Sequence, residues 1–342
     1  MTALPDAAWD LLGRAVREAP AVAEVAREWG ARFDGALRVE VVGAPGSGRA
    51  TVVEAVAGAA FDVVEGQGDV RVRLVRRPGE VVDGDAVSTI VVLSRADELG
   101  GGHGDAMECA RVVAARHARD DLGEHCQAVV AVAALPAVGG LRLTRSDAAA
   151  LSTLVNAPDA LLSVDRLTAH VGPELPAKLG LFGVRAAVEL VRQGSAVPAG
   201  LVALSGVPDL LAAIDTHFLA RAAVLRARAA LLALLPLLSG HPLSADVERV
   251  LTSAHEPREL RLLAELAAGR VTFDERDDEA RHLLGGHGTA PGTRLALSGD
   301  PYQAYLRWHA LTESPERTHA QRCAAGIVAR TCEALVAVGF VE

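Results

Sequence analysis

Leu37-Arg-Val-Glu-Val-Val42 is a β-branched run, and Gly43-Ala-Pro-Gly46-Ser47-Gly48-Arg49-Ala50-Thr51 follows it at once. Residues 51–60 then read as a helix. A strand, a Gly-rich loop and a helix in that order form the setting in which GxxxxGK[ST] works. The glycines let the backbone fold around a phosphate with N–H groups pointing inward, and the helix N-terminus adds partial positive charge. The lysine of that motif reaches the β- and γ-phosphates, and the Ser/Thr hydroxyl holds Mg²⁺. Here Gly43, Gly46, Ser47 and Gly48 keep the backbone pattern, but Arg49 stands for the lysine and Ala50 for the hydroxyl. Arginine is longer and planar, so the exchange is not conservative in a tight loop. Thr51 is one residue late, which on a helix is expected to turn it away from the loop. The chain has a single lysine, Lys178, so no realignment restores the motif. The plainer alternative is an ordinary Gly-rich turn between a strand and a helix.

Outward from the loop, residues 6–30 carry Trp9, Leu12, Val16, Val22, Val25 and Trp29 at roughly helical spacing, as one helix or a pair, with Asp6 as a candidate cap. Residues 69–75 alternate, as expected for a half-exposed strand. Residues 76–85 are turn-rich. Residues 87–93 and 128–135 are continuous apolar runs of the buried parallel-strand kind, separated by a helix over 105–118. This order predicts an α/β doubly wound sheet. From about residue 143 onward the pattern is helical almost throughout, including one periodic stretch over 208–238 and an acidic loop over 272–279.

Composition sets the boundaries. Half of the 342 residues are hydrophobic and only 3% aromatic, which suits Ala-rich helix packing. A net charge of −9 with no basic stripe argues against a general nucleic-acid partner. Four cysteines without a CxxC pair do not make a disulfide framework and fit a reducing cytoplasm. The first twenty residues lack the apolar core of a signal peptide. Cys109, His117, His125 and Cys126 lie close in sequence without structural zinc spacing. No nucleophile elbow occurs.

A second motif lies downstream. Ile90-Val-Val-Leu93-Ser94-Arg95-Ala96-Asp97 ends a strand where a GTPase reads NKxD, whose Asp accepts two hydrogen bonds from guanine. Asp97 stays; Asn and Lys have become Ser94 and Arg95. The next strand ends in Val130-Ala-Val-Ala-Ala134-Leu-Pro, similar to the short loop that backs the base. The interval between Gly48 and Ser94 is short for two switches and holds no DxxG. Asp97-Glu-Leu-Gly100 matches that string but is assigned to base recognition. With no switch Thr, no DxxG Asp and no hydroxyl at position 50, Mg²⁺ has no evident ligand.

Together, SRADELGGGHGDAMECARVVAARHARDD, CQAVVAVAALPA, GLFGVRAAVELVRQG and LSGVPDLLAAIDTHFLARAAVLRARAALLAL resemble bacterial dynamin-like GTPases of the actinobacterial type. The resemblance covers about residues 37–310 and is strongest over 90–235. It implies a P-loop GTPase-like parallel sheet flanked by helices and followed by an α-helical bundle. The implied layout is an N-terminal helix over 1–34 packed on the helical part, and a degenerate G domain over 35–218. The latter holds a helical insertion at about 141–204, and the bundle occupies 219–342. The family implies GTP binding with Mg²⁺, dimerisation through the G domain and membrane-associated activity. The departures at Arg49, Ala50, Ser94 and Arg95 lead instead to an expected non-hydrolysing scaffold or regulatory subunit. Its expected partner is an active homologous GTPase, or a second copy of itself. No catalytic residue or metal ligand is assigned, no cofactor is certain, and the protein is expected in the cytoplasm with membrane contact at most peripheral. The alternatives are a weak GTP-binding GTPase and a peripheral membrane protein acting through its amphipathic helices, with Arg221, Arg226 and Arg228 on the basic face.

Overall fold

The computed structural model describes residues 3–80, 82–99 and 101–339. Val81 of the turn-rich connector and Gly100 of the Asp-x-x-Gly string lie outside the described residues. The chain is mixed α/β and mostly helical. Five parallel strands form one sheet: β1 (Arg38–Gly43), β2 (Asp62–Val64), β3 (Val70–Val75), β4 (Thr89–Ser94) and β5 (Ala128–Val132), in the order β2-β1-β3-β4-β5. Every residue of β4 is buried. Ile90 and Val92 pack into one apolar cluster, Val91 and Leu93 into another on the opposite face. Both faces are covered, as a parallel sheet requires. The register aligns Gly43 with Leu74, Val75 with Leu93, and Ser94 with Val132, so the carboxyl ends of four strands share one edge.

The strand over 69–75 lies inside the sheet and keeps the expected alternation, with Arg71 and Arg73 partly exposed between buried neighbours. Val70, Val72 and Leu74 are buried, and Arg71 reaches Glu40 at 3.0 Å. The helix after the loop runs Arg49–Ala55 and stops short of residue 60, because Gly58 turns at φ 81°. β2 follows it and was not foreseen: three residues carry too little periodicity to read. β5 ends at Val132 and the chain turns into the helix Ala134–Leu141, with Pro136 tolerated in its first turn. The helical excursion therefore begins before residue 141.

Five helices, with one 3-10 turn, occupy the stretch up to Leu204. In their core Leu151, Leu167, Leu179 and Val188 are buried. Lys178 is spent there on Asp147, at 2.8 Å. Burial alone would raise the Asp147 carboxyl, but hydrogen bonds from Lys178 and Thr144 outweigh it and hold it below the usual range. The chain returns to the sheet at Ser205-Gly206, where the Ala133 amide donates to the Ser205 carbonyl at 2.8 Å. Gly206 sits at φ 75°, and a Cβ there would run into the Ala131 carbonyl.

The periodic stretch over 208–238 holds two helices. It breaks into Val207–His217 and Ala222–Leu234, joined and ended by 3-10 turns at Leu219–Arg221 and Leu235–Leu238. Pro236 removes the amide that would continue it. The N-terminal segment is a helix pair, Leu4–Glu18 and Ala23–Ala31, packed on Ala222–Leu234 and Leu243–Ser253 through Leu11, Trp29, Leu231 and Val247. Asp6 lies inside the first turn and does not cap it. The Leu4 amide is taken by Glu256 Oε1 at 2.9 Å, from 252 residues away. Residues 272–279 hold a 3-10 turn and the start of the helix Asp277–Leu283. That helix joins Glu256–Ala267, Pro301–Thr312 and His319–Gly339 around Phe273 and Trp308, whose rings meet edge to face at 4.9 Å. Among the described residues, no single helix is long and apolar enough to cross a membrane.

Candidate functional site

At the carboxyl edge of the sheet, three loops enclose a cavity of about 260 Å³. Ligands of open α/β sheets sit at this edge, where the strand order reverses, and here it reverses at β1. One wall comes from Gly46, Ser47 and Gly48 with Thr51 of the following helix. A second comes from Ser94, Arg95, Asp97 and Glu98 after β4. Ala134 and Leu135, at the start of the helix after β5, close the third side. The three sequence segments singled out above thus meet in one place.

Gly46 and Gly48 both adopt φ 79°, a conformation that favours glycine. The Ser47 amide closes the turn on the Ala44 carbonyl at 3.0 Å. Its hydroxyl is buried against Gly43 without a hydrogen-bond partner. A Cβ on Gly43 would also press on Leu74 at 3.0 Å.

Two residues behave differently from expectation. Thr51 does line the cavity; the helix starts at Arg49, so its first turn wraps around the loop and presents position 51 rather than 50. Arg49 does not line it. Its Nε donates to the Val41 carbonyl at 2.9 Å, and Nη2 lies 3.5 Å from Glu65. The cause lies in the sheet. β2 is short, its last pairing being Glu40 with Val64, so Val41 lies beyond its cover. The guanidinium satisfies that edge carbonyl as a strand would.

Ser94, at the Asn position, is buried and donates to the Val75 carbonyl at 3.1 Å, tying β4 to β3. Arg95 adopts φ 53°, a left-handed conformation that costs a non-glycine residue about 1–2 kcal/mol. It lies over the loop, with Nη1 at 3.4 Å from the Gly46 carbonyl and Nε donating to Glu98 at 2.7 Å. Arg76, just past β3, also faces Glu98, at 3.8 Å. Burial raises the Asp97 carboxyl above the ordinary range; its own backbone N–H and Arg95 oppose this, and Glu98 adds to it.

Glu65, Arg76 and Glu98 were missed in the sequence. Glu98 sits beside Asp97 and could have been counted with it. Glu65 and Arg76 enter through the positions of β2 and β3, which no local pattern fixes. The cavity lining carries one arginine against two carboxylates, a formal net charge of −1.

The other constellations do not converge. Cys109 is exposed, while His117 is buried with Nδ1 at 2.7 Å from Asp121. Among the described residues, no group of three His, Cys, Asp or Glu side chains could hold a metal ion. Cys126 and Cys332 are buried, and desolvation pushes both thiols up to about 12.

No family model matches the chain, and no solved structure does. The chain is similar to the isoniazid-induced protein IniC of Mycobacterium tuberculosis, matched in two strains. The two are 34% identical over 257 residues, which cover 66% of this chain and 52% of the relative. The chain therefore spans about half the length of the curated relatives it matches.

Proposed function

We propose that this protein is a dynamin-like, G-domain-derived chain that does not hydrolyse GTP and acts as a scaffold or regulatory subunit beside an active homologous GTPase. The observation that carries this reading is the withdrawal of Arg49 from the cavity to the edge of β1. Phosphoryl transfer needs a cation on the β- and γ-phosphates and a hydroxyl and carboxylate for Mg²⁺. At the corresponding places the chain has a diverted guanidinium, the methyl of Ala50, and no described metal-binding cluster. These residues do not fit a magnesium nucleotide. What remains is a set of loops in GTPase order on a parallel sheet, flanked by long helices.

The similarity to IniC supports the dynamin-like reading, and the resemblance to dynamin-like proteins supports contact with a homologous chain through the sheet unit, residues 35–218, and the helices over 219–342. The test is co-expression with a homologous GTPase that keeps GKS and NKxD motifs, followed by size-exclusion chromatography with light scattering. A stable complex of the two chains is expected. A chain that stays monomeric with every such GTPase overturns the reading, and flotation with lipid vesicles under those conditions would favour a membrane role.

A further inference from the structure

Independently of the loops at the sheet edge, we propose that a second cavity, where the sheet unit joins the C-terminal helices, binds a small carboxylate of single charge with a short apolar tail, its charge held by Arg221 and Arg294. The cavity measures about 220 Å³. The 3-10 turn Leu219–Arg221 and the start of the helix Ala222–Leu234 form one side, the helix Glu256–Ala267 a second, and Thr289 with Arg294 a third. Leu260, in its wall, belongs to the apolar cluster of the sheet.

Arg221 is only 8% exposed, yet it forms no ion pair among the described residues. Buried arginines are ordinarily paired. Nη2 is spent on the carbonyls of Leu284 and Gly285. Nε and Nη1 make no hydrogen bond among the described residues, and both keep accessible surface where the side chain lines the cavity. Three N–H donors of a buried cation are therefore open to a ligand. Arg294 gives Nη2 to Glu259 and likewise keeps Nη1 open. Burial, and then the charge of Arg294, work against the Arg221 cation; Glu259 opposes them through its charge, without a hydrogen bond. An anion reached by both guanidiniums relieves both penalties.

The rest of the lining sets the kind of anion. Arg221 and Arg294 stand against Glu256 and Glu259, so the wall is formally neutral. Glu259 is occupied by Arg294 and Thr331, and Glu256 takes the Leu4 amide. One negative charge can settle on the open N–H groups. A second would meet two carboxylates with no further cation in the wall. Ala223, Val224 and Leu260 give apolar cover beside the guanidiniums, which suits a hydrocarbon tail and not the oxygens of a phosphate or sulfate. The volume lies below the usual range of about 300–1,000 Å³ for drug-sized ligands, so the tail is short. Bound there, the ligand would bridge the turn at Arg221 to Arg294, and so hold the entry to the C-terminal helices against their later turns.

Calorimetry on the full chain with butyrate, acetate, butyramide and sulfate, at constant ionic strength in chloride, tests the proposal. Butyrate is expected to bind and to raise the thermal midpoint. Butyramide, of the same shape without the charge, should bind about tenfold more weakly, as loss of a charge-assisted hydrogen bond implies. Acetate, two methylenes shorter, should bind about fivefold more weakly. Arg221→Gln should abolish butyrate binding. Because that residue is buried, a second variant keeps the test open: Ala223→Leu narrows the cavity from an exposed helix position, and should abolish butyrate binding while leaving the thermal midpoint in chloride in place. No heat from butyrate, or butyrate binding unchanged in either variant, would overturn the proposal. Sulfate binding more tightly than butyrate would overturn it in favour of a doubly charged ligand.

Discussion

At the junction of the C-terminal helices, Glu259 is buried and accepts from Arg294 at 2.6 Å and Thr331 at 2.7 Å, while His255 Nε2 bonds Thr331 at 2.9 Å. Arg221 is buried nearby and donates to the carbonyls of Leu284 and Gly285. At the sheet cavity the same residue types are arranged differently. Arg95, Glu98 and Arg76 are half-exposed, and Asp97 is desolvated beside open space. The first network pairs its carboxylate from within, with His255 Nδ1 and Arg294 Nε left without a partner, and holds helices from distant parts of the chain together. The second leaves acceptors facing a cavity. Charge that is buried and paired is structural, and its loss is expensive. Charge that is desolvated and facing empty space costs stability and marks a place where a ligand or partner could supply the missing contact.

The largest effect should come from breaking the junction. Glu259→Ala leaves the buried Arg294 guanidinium and the Thr331 hydroxyl without their shared acceptor and is expected to destabilise the protein by about 3–5 kcal/mol, read from chemical denaturation. A loss under 1 kcal/mol would put the junction in the same class as the cavity.

Next comes acid. Burial, then the charge of Arg221, pushes the His217 imidazole down to about 4 from an ordinary 6.5, and burial also lowers His255. Because the unfolded chain takes up these protons first, their contribution is fully present above about pH 6.5 and is lost as pH falls toward 4. For His217 this amounts to about 2–3 kcal/mol, to be followed by thermal melts across that range, with His217→Gln flattening the profile.

The cavity should answer with the opposite sign. The raised Asp97 carboxyl means that its charged form is penalised in the fold, so Asp97→Asn is expected to stabilise by about 0.5–1 kcal/mol at neutral pH. A destabilised variant would make Asp97 a structural residue like Glu259.

Smallest is Arg49→Lys. The ion pair to Glu65 is exposed, so stability should change by less than about 1 kcal/mol. Replacing the guanidinium with the ordinary lysine should bring no hydrolysis, since Ala50 still lacks a hydroxyl.

The sequence told much of this, for reasons that differ by region. β1, β3, β4 and β5 were legible because β-branched runs such as Val39–Val42 and Ile90–Leu93 leave a clear pattern, and the three loops followed from their order. β2 was not, since Asp62–Val64 is too short to show a period. That omission hid the fate of Arg49: where its guanidinium goes depends on how far the neighbouring strand runs. Thr51 was misjudged because its orientation depends on the residue at which the helix begins. The junction around Glu259 was invisible for another reason, as Arg221, His255, Glu259, Arg294 and Thr331 are brought together only by packing between helices.

Phosphate release from GTP, measured with the full chain at high concentration, with and without Mg²⁺, beside Asp97→Ala, decides whether the cavity is a working nucleotide site. Release no faster than in buffer is expected for both proteins under both conditions. Mg²⁺-dependent turnover in the unmodified chain that Asp97→Ala removes would contradict it, and would return Arg49 and Asp97 to a working nucleotide site.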